Sequence, residues 1–520
     1  MLGAPRHLWR LLRTAATFER TGALAVILAS LAVPRPARLA VRAVGRLFGL
    51  LGARGDPSLP PVGRACQAMG PAYVKFGQIL STRPDIVGGE VVEQLRVLQD
   101  RLPPFSLAEA RAMIESELGP EIWEDLVELG APVAAASIAQ VHPAVWRPDG
   151  RRVAVKVLRP DVARQFRRDI AAFYFIAHAI EFLAPFTRRL KPTLIVEHFE
   201  SVVLTELDLR LEAASASQFR DNTARDPLFY VPAVIWEGTG RRVLTLEWVE
   251  GLAVDPLVLG AHGFDLAELA QRLLRTFLNH ALRDGFFHAD MHQGNLRLAA
   301  DGGLIALDFG IMGRIDQITR RHFAEILFGF LTRDYRRVAE VHVEAGYVPI
   351  DRDIDEFALA LRSIAEPIFG QDVSRISMAR LLAYLLETTE RFGMETRTEL
   401  ILLQRTMVVV EGVARSLDPR CNIWQAAAPV VELYIRERLG PRQALRDAVD
   451  TMRVLSRLGP RLPGIADELV MFAEEARNRR LRVPIGVRVR ELPTPSVNRP
   501  AAIGFLVGLG VAGGLVALLG

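Results

Sequence analysis

The stretch His288-Ala-Asp290-Met-His-Gln-Gly-Asn295 ends thirteen residues before Asp308-Phe309-Gly310, and no other feature restricts the fold so tightly. An Asp-x4-Asn pair on one loop can direct a carboxylate to one partner and an amide oxygen to another. A second carboxylate, Asp308, follows the apolar run LIAL and opens a Gly-containing turn. Between the two, NLRLAADGGLIALDFG reads as a short hairpin turning at Asp301-Gly302-Gly303. Each piece alone is weak. Asp-Phe-Gly is also an ordinary strand exit, and His288 or His292 is also a plain polar loop residue.

An upstream strand gives the pieces a common meaning. In Val153-Ala154-Val155-Lys156-Val157 the three valines share one face, and Ala154 and Lys156 share the other. Only three of the 64 basic residues are lysines: Lys75, Lys156 and Lys191. Lys survives where a compact charge on a flexible stem is needed and the broad Arg fork is not. Phosphoryl transfer from ATP needs a cation on the phosphates, a carboxylate near the acceptor and oxygen ligands for magnesium. Lys156, Asp290 and the pair Asn295 and Asp308 supply these, and Mg2+ prefers such hard oxygen donors. Ala154 leaves room for an adenine ring. The strand through Glu247 and Val249 into Gly251 is placed as a hinge whose backbone binds adenine.

The rest of the chain divides by pattern. Residues 1–60 form a basic segment in which arginines alternate with apolar runs, suited to an anionic membrane surface or to packing on the protein's own core. Gly22–Val33 is too short to span a bilayer and has no cleavage site of the signal-peptide kind. Residues 61–130 read as helices, with Ser106 and Glu109 as a capping box. Residues 131–250 are rich in strands: VAAASIAQVHPAVW and RRVAVKVLRP, joined at Pro148-Asp149-Gly150, then FYVPAVIWE and RRVLTLEWVEG. Helices are expected at about 160–183 and 193–220, and residues 251–440 are mainly helical. Residues 441–499 are helical and rich in Arg. In the final segment, 500–520, residues 501–519 carry no charge, and at ~1.5 Å per residue they reach roughly the ~30 Å of a hydrocarbon core. The arginines before it place the preceding domain on the cytoplasmic side. Gly504/Gly508 and Gly510/Gly514 suit close helix contact, including with a second copy. Balanced charge, net +4, excludes an argument for nucleic acid, and Cys66 and Cys421 have no metal-ligand spacing.

VAVK, HADMHQGN and LDFG in this order resemble the protein-kinase-like fold, and further features resemble its UbiB/ADCK branch of atypical kinases. Lys75-Phe76-Gly77-Gln78 is similar to that family's KxGQ motif. Ala134-Ala135-Ala136-Ser137 stands where ordinary protein kinases have a Gly-rich phosphate loop. Glu206-Leu207-Asp208 is similar to its ExD motif, with Glu212 following, and a C-terminal membrane segment completes the set. The resemblance runs from about residue 60 to the end. It implies an α+β, bilobal fold with a small β-rich N-lobe, a large helical C-lobe, an N-terminal helical extension and a C-terminal transmembrane segment.

It also implies an ATP- and Mg2+-dependent atypical kinase or ATPase supporting isoprenoid quinone (ubiquinone) biosynthesis at a bacterial-type inner membrane. Quinone-pathway lipids or enzymes are the implied partners. Ala restricts the backbone freedom that Gly gives a phosphate loop, so the alanine loop holds nucleotide differently. Lys75 and Gln78 belong to an extension able to cover the cleft. Glu206 or Asp208 can pair with Lys75, and Glu212 with Lys156; 208 and 212 read as one helix face, with 206 off it. Two rivals remain. A small-molecule kinase of the aminoglycoside type shares the H-x-D-x-H-x-G-N loop but needs neither the KxGQ helix nor an anchor. A non-catalytic nucleotide-binding scaffold would tolerate Asp290→Asn and fail on loss of Lys156.

Overall fold

The computed structural model describes residues 4–30, 42, 43, 46, 49–81, 87–98, 103–183, 191–369, 391–394 and 397–438. The expected transmembrane segment and the Arg-rich stretch before it lie outside the described residues. Among the described residues no helix is long and apolar enough to cross a membrane. The chain divides into two compact units. One runs to Ser217 and includes Pro232–Val249; the other takes Gln218–Val231 and continues from Glu250.

In the first unit, α1 (Ala4–Thr21) and α2 (Ala23–Ser30) are followed by α3 (Pro61–Met69), α4 (Pro71–Leu80) and α5 (Gly89–Leu95). Of the two readings of the basic N-terminal segment, packing on the protein's own core describes these helices. Ala16, Thr17 and Ala23 are fully buried, and Thr14 Oγ1 lies 2.8 Å from Tyr73 Oη on α4. The turn at 49–53 is fastened to α1: Ala53 N–H donates to Thr17 Oγ1 and Arg20 donates to the Gly52 carbonyl. Next comes α6 (Leu107–Leu118), whose N-terminus carries the expected capping box between Ser106 and Glu109. After α7 (Pro120–Asp125) the chain turns to strands at Leu126, a few residues before the helical reading ends.

The sheet of this unit contains β1 (Leu126–Val127), β2 (Ala134–Ala135), β3 (Ala139–Trp146) and β4 (Arg151–Leu158). It is completed by β6 (Val243–Glu247), in the order β1-β3-β4-β6 with β2 also on β3, all antiparallel. Gly150 makes the hairpin turn between β3 and β4 at φ +73°, which glycine adopts without a Cβ clash. The alternation read in β4 holds: Val153, Val155 and Val157 are fully buried in one apolar cluster, and Ala154 and Lys156 face the other way.

Helices α8 (Val162–Leu183), α9 (Pro192–Glu206) and α10 (Leu209–Thr223) follow. The expected helix over 193–220 is two helices, because the chain leaves helical geometry at Leu207-Asp208. Asp208 therefore precedes α10 and does not share a helix face with Glu212. An apolar cluster including Tyr73, Phe166, Phe173 and Phe199 joins α4, α8 and α9; Phe76 stacks on Phe173 at 4.8 Å between ring centroids.

FYVPAVIWE is not one strand. Phe229–Tyr230 (β5) belongs to the second unit, Val234 makes an isolated bridge to Leu246 in the first, and Pro232, which has no N–H to give a ladder, stands between them.

The second unit places β5 in a four-stranded sheet, β5-β10-β9-β7, with β7 (Leu252–Ala253), β9 (Leu296–Leu298) and β10 (Leu304–Ala306). Its β9–β10 hairpin turns through Gly302 at φ +83°, as the sequence predicts. A two-stranded ladder pairs β8 (Phe286–His288) with β11 (Met312–Arg314). The remaining elements are helical: α11 (Pro256–Ala261), α12 (Leu266–Asn279), α13 (Gln317–Thr332), α14 (Tyr335–Glu344), α15 (Ile354–Phe369), α16 (Thr398–Leu417) and α17 (Ile423–Arg438). Asp255, Asp265, Asp316 and Asp334 each accept backbone N–H bonds at the start of a helix, satisfying donors that have no partner inside it.

Candidate nucleotide site

The expected site residues fall in both units, and each group is built locally. In the first unit Lys156 sits at the middle of β4. Its Nζ donates to both carboxylate oxygens of Glu212, at 2.7 and 2.9 Å. Lys156 is 14% exposed and Glu212 8%, so the pair is largely withdrawn from water. A buried charge is tolerable only when matched in this way. Lys75 on α4 pairs with Glu206 at the end of α9, at 2.6 Å. The acidic partners left open by the sequence are thereby divided: Glu206 takes Lys75 and Glu212 takes Lys156. Asp208 joins neither, since Arg210 and Arg241 surround it, and the Arg210 guanidinium holds its carboxyl below the usual range. Gln78 donates to the Leu98 carbonyl at 3.3 Å, joining α4 to the chain just past α5.

Ala134 and Ala135 form β2 against Val141 and Gln140 of β3, and the turn is closed by the Ala136 N–H on the Ala139 carbonyl at 2.8 Å. Ser137 at its tip is 2% exposed. The alanine loop is thus a regular hairpin with no residue in the left-handed region. At the end of β6, Glu247 exchanges bonds with Ala233: its backbone N–H donates to the Ala233 carbonyl, and its Oε2 accepts from the Ala233 N–H. Arg152 covers the Trp248 ring at 4.9 Å, and the chain passes into the second unit after Val249.

In the second unit, the loop from His288 to Asn295 is held from inside. His288, fully buried, bridges two segments through its ring: Nε2 bonds the Leu307 carbonyl at 3.0 Å, and Nδ1 accepts from the Asp290 N–H at 3.1 Å. An imidazole with one donating and one accepting nitrogen is neutral. Burial, which penalises the charged ring, lowers the His288 pKa and agrees with that form. His288 is therefore the strut between the loop that carries Asp290 and the strand end that leads to Asp308. Asn295 Nδ2 donates to the Asp290 carbonyl at 3.0 Å and faces Asp290 Oδ2 at 3.4 Å. With the nitrogen so engaged, the amide oxygen of Asn295 is its remaining face. The Leu307 N–H on the Asn295 carbonyl at 2.8 Å brings the two candidate metal ligands onto adjoining segments.

Asp308 has φ +56°, a left-handed backbone rare outside glycine, and its Oδ1 accepts from the Gly310 N–H at 3.1 Å. Strain of this kind collects where geometry serves a function. Phe309, 1% exposed, anchors the turn in an aromatic group with Phe219 and His288. The donor set that Asn295 and Asp308 offer, one amide oxygen and one carboxylate, fits a hard divalent cation such as Mg2+.

Some supports were not legible in the sequence. Thr406 Oγ1 on α16 donates to the Ala289 carbonyl at 3.1 Å, and Gln293 donates to Ser416 at 2.7 Å, so α16 underpins the Asp290 loop. A lone Thr and Ser on a helix more than a hundred residues away carry no signal of this. His288 was visible only as a polar residue of the motif.

Residues 97–342 match the ABC1 atypical kinase-like domain, and residues 361–422 match the UbiB helical domain. The probable protein kinase UbiB of Xanthomonas axonopodis pv. citri is 40% identical over 468 residues, 87% of this chain and 84% of its own. That of Marinobacter nauticus is 38% identical over 426 residues, covering 80% and 78%. That of Vibrio cholerae serotype O1 (strain M66-2) is 40% identical over 406 residues, covering 77% and 74%.

Proposed function

This chain belongs to the UbiB family of ABC1 atypical kinase-like proteins, and we propose that it is a membrane-tethered, Mg-ATP-dependent kinase or ATPase supporting isoprenoid quinone biosynthesis. One observation carries the nucleotide reading: the two-oxygen pairing of Lys156 with Glu212. It matches the strand-lysine to helix-glutamate ion pair that active protein kinases need in place.

Each residue then has a role its surroundings support. Lys156, oriented by Glu212, binds the α- and β-phosphates. Asn295 and Asp308 would hold Mg2+, which when bound would offset the charge developing on the phosphate oxygens. Asp290, about one-third exposed, orients the acceptor and takes its proton. The His288 strut keeps Asp290 and Asp308 in register without changing its own charge. Glu247 and Val249, at the end of β6, offer backbone to adenine. Lys75, fixed on Glu206, holds α4 on α9, and Gln78 ties α4 to Leu98; together they brace the extension that governs access.

Quinone-pathway lipids, or the enzymes that handle them, are the partners that this reading supports. Quinone precursors reside in the bilayer, and the uncharged segment 501–519 preceded by arginines suits a tail that keeps the catalytic residues on the cytoplasmic side of an inner membrane. The small-residue spacings in that tail suit self-association. The deciding experiment measures ATP turnover by the full-length chain in liposomes, with and without quinone-like lipid, for wild type, Asp308→Asn and Asp290→Asn. Mg2+-dependent turnover, raised by lipid and lost in both variants, is expected. Equal turnover in wild type and Asp308→Asn refutes the metal assignment, and phosphorylation of a soluble alcohol favours the small-molecule kinase.

A further inference from the structure

Two side chains of the Asp290 loop stand with room for one oxygen between them. His292 Nε2 lies 3.6 Å from Asp290 Oδ2. That is too long for a hydrogen bond between the two, and an oxygen ~2.8 Å from each closes the triangle. Neither group is enclosed: the His292 side chain is 52% exposed and that of Asp290 33%. The loop's own backbone holds the arrangement. The Asp290 carbonyl accepts from the His292 N–H and from Asn295 Nδ2, both at 3.0 Å, and the His292 carbonyl accepts from the Asn295 N–H at 3.0 Å.

The His292 ring is fixed in one sense. Its Nδ1 accepts from the Gly294 N–H at 3.0 Å, capping the 3-10 turn Gln293–Asn295. A ring nitrogen that accepts carries no proton, so the proton of the neutral ring is on Nε2, the atom that lies toward Asp290. Gly294 permits this packing: a Cβ there would lie 2.8 Å from Cε1 and 3.0 Å from Nδ1 of the ring. The gap is therefore bounded by an acceptor, the carboxylate, and a donor, the Nε2–H. A hydroxyl matches both, having one proton to give and two lone pairs. With one pair held by His292, the other stays free to react. An uncharged amine has a single pair, and a bond from Nε2–H uses it up.

We propose that His292 is an acceptor-binding residue: it and Asp290 together seat one hydroxyl oxygen, of water or of an alcohol or phenol, and select oxygen over amine acceptors. This rests on the phosphoryl-transfer reading above and names the chemical class of its acceptor. In the step, the acceptor O–H bond breaks and its proton passes to Asp290 Oδ2. The oxygen's free pair forms the bond to the γ-phosphorus, the bond from that phosphorus to the bridging oxygen breaks, and ADP leaves with its electrons. His292 gives up no proton; it fixes the direction of the attacking pair.

The two ring nitrogens can be tested separately, because the side-chain oxygen of asparagine can stand where Nδ1 does and the amide nitrogen of glutamine where Nε2 does. His292→Asn keeps the cap and loses the donor to the acceptor; His292→Gln keeps that donor and loses the cap. Phosphate release from ATP by the full-length chain in liposomes, with water as the acceptor oxygen, is measured beside the thermal midpoint. His292→Asn is expected to lower kcat about tenfold with KM for Mg-ATP unchanged, and His292→Gln to lower it about threefold or less. The midpoint is expected to fall more in His292→Gln. If asparagine keeps as much turnover as glutamine, the ring is only the cap of its turn and the inference is overturned. Methoxyamine, uncharged at neutral pH, is added to wild type as a competing acceptor, and an N-phosphoryl product would overturn the selectivity for oxygen. If wild type releases no phosphate from ATP, the phosphoryl-transfer reading itself has failed and this inference falls with it.

Discussion

The Lys156 ammonium gives hydrogen bonds to both oxygens of Glu212, a strand residue held by a helix residue 56 positions later in the chain. Both side chains are mostly buried, and each offsets the other's charge. Glu212→Ala removes the two-oxygen partner of a mostly buried ammonium and is expected to cost about 3–5 kcal/mol, read as a shift of the urea midpoint. Lys156→Met together with Glu212→Leu removes both charges and is expected to recover most of that stability while ATP turnover stays absent. Recovery of turnover in the double variant would show that the lysine serves only structure.

Gly52 tests the attachment of the N-terminal helices. A Cβ at this position would lie 2.5 Å from the backbone carbonyl carbon and oxygen of Ala16 and 2.7 Å from the Thr17 nitrogen. Backbone cannot swing aside as a side-chain end does, so α1 or the 49–53 turn must move. Gly52→Ala is expected to cost roughly 1–3 kcal/mol, the usual range for overpacking. It should also speed hydrogen exchange at the Ala53 N–H, which now bonds Thr17 Oγ1. An unchanged unfolding midpoint would argue against this docking.

Much of this site could be read from residues, for physical reasons that differ between elements. The β4 strand was legible because Val153, Val155 and Val157 carry the two-residue period, and the β9–β10 hairpin because Asp301-Gly302-Gly303 is turn chemistry. The break at Leu207-Asp208 was not legible. No proline or glycine marks it, and the Arg241 carbonyl that receives the Leu209 N–H lies more than thirty residues downstream. The pairings of Lys75 and Lys156 could be proposed but not fixed for the same reason, since Glu206, Asp208 and Glu212 are distinguished only by where the helices start and stop. FYVPAVIWE misled because its apolar, aromatic composition outweighed Pro232, whose missing N–H parts it between two sheets.

His342 on α14 gives a pH dependence whose sign is fixed. The ring is buried, with Phe357 and Tyr347 at 5.5 and 6.0 Å and Nδ1 on the Val338 carbonyl at 2.7 Å. Burial lowers its pKa to about 4, against the ordinary ~6.5 that the unfolded chain keeps. As pH falls below ~6.5, the unfolded chain takes up a proton that the folded one refuses. The stabilisation is complete above that pH and drains away toward the folded value. From pH 7 to pH 5 this single ring is expected to cost roughly 2 kcal/mol. His342→Leu, which cannot titrate, should flatten the acid limb of urea stability by that amount. An identical limb in the two proteins would place the acid sensitivity elsewhere, His142 and His288 being the other buried rings with lowered pKa among the described residues.

Thr406 separates support of the Asp290 loop from support of the fold. It is fully buried in α16, and its hydroxyl sits 2.8 Å from the Leu402 carbonyl of its own helix and 3.1 Å from the Ala289 carbonyl. One hydroxyl hydrogen serves both carbonyls, and the bond to Leu402 is available to any helical threonine. The bond to Ala289 is the informative one, because Ala289 directly precedes Asp290 and its own N–H is fixed on the Ile311 carbonyl. Valine fills the same volume without the donor, so Thr406→Val leaves a buried carbonyl without its side-chain partner, at about 1–3 kcal/mol. Displacements of ~1 Å at reacting groups cost up to about a hundredfold in rate. The expected outcome is therefore a fall in kcat of tenfold or more by that reasoning, with KM for ATP unchanged because neither Lys156 nor the alanine loop is touched. Thr406→Ser restores the donor and should restore kcat. If kcat and KM change together, or serine fails to rescue, α16 supports the fold in general and not the position of Asp290.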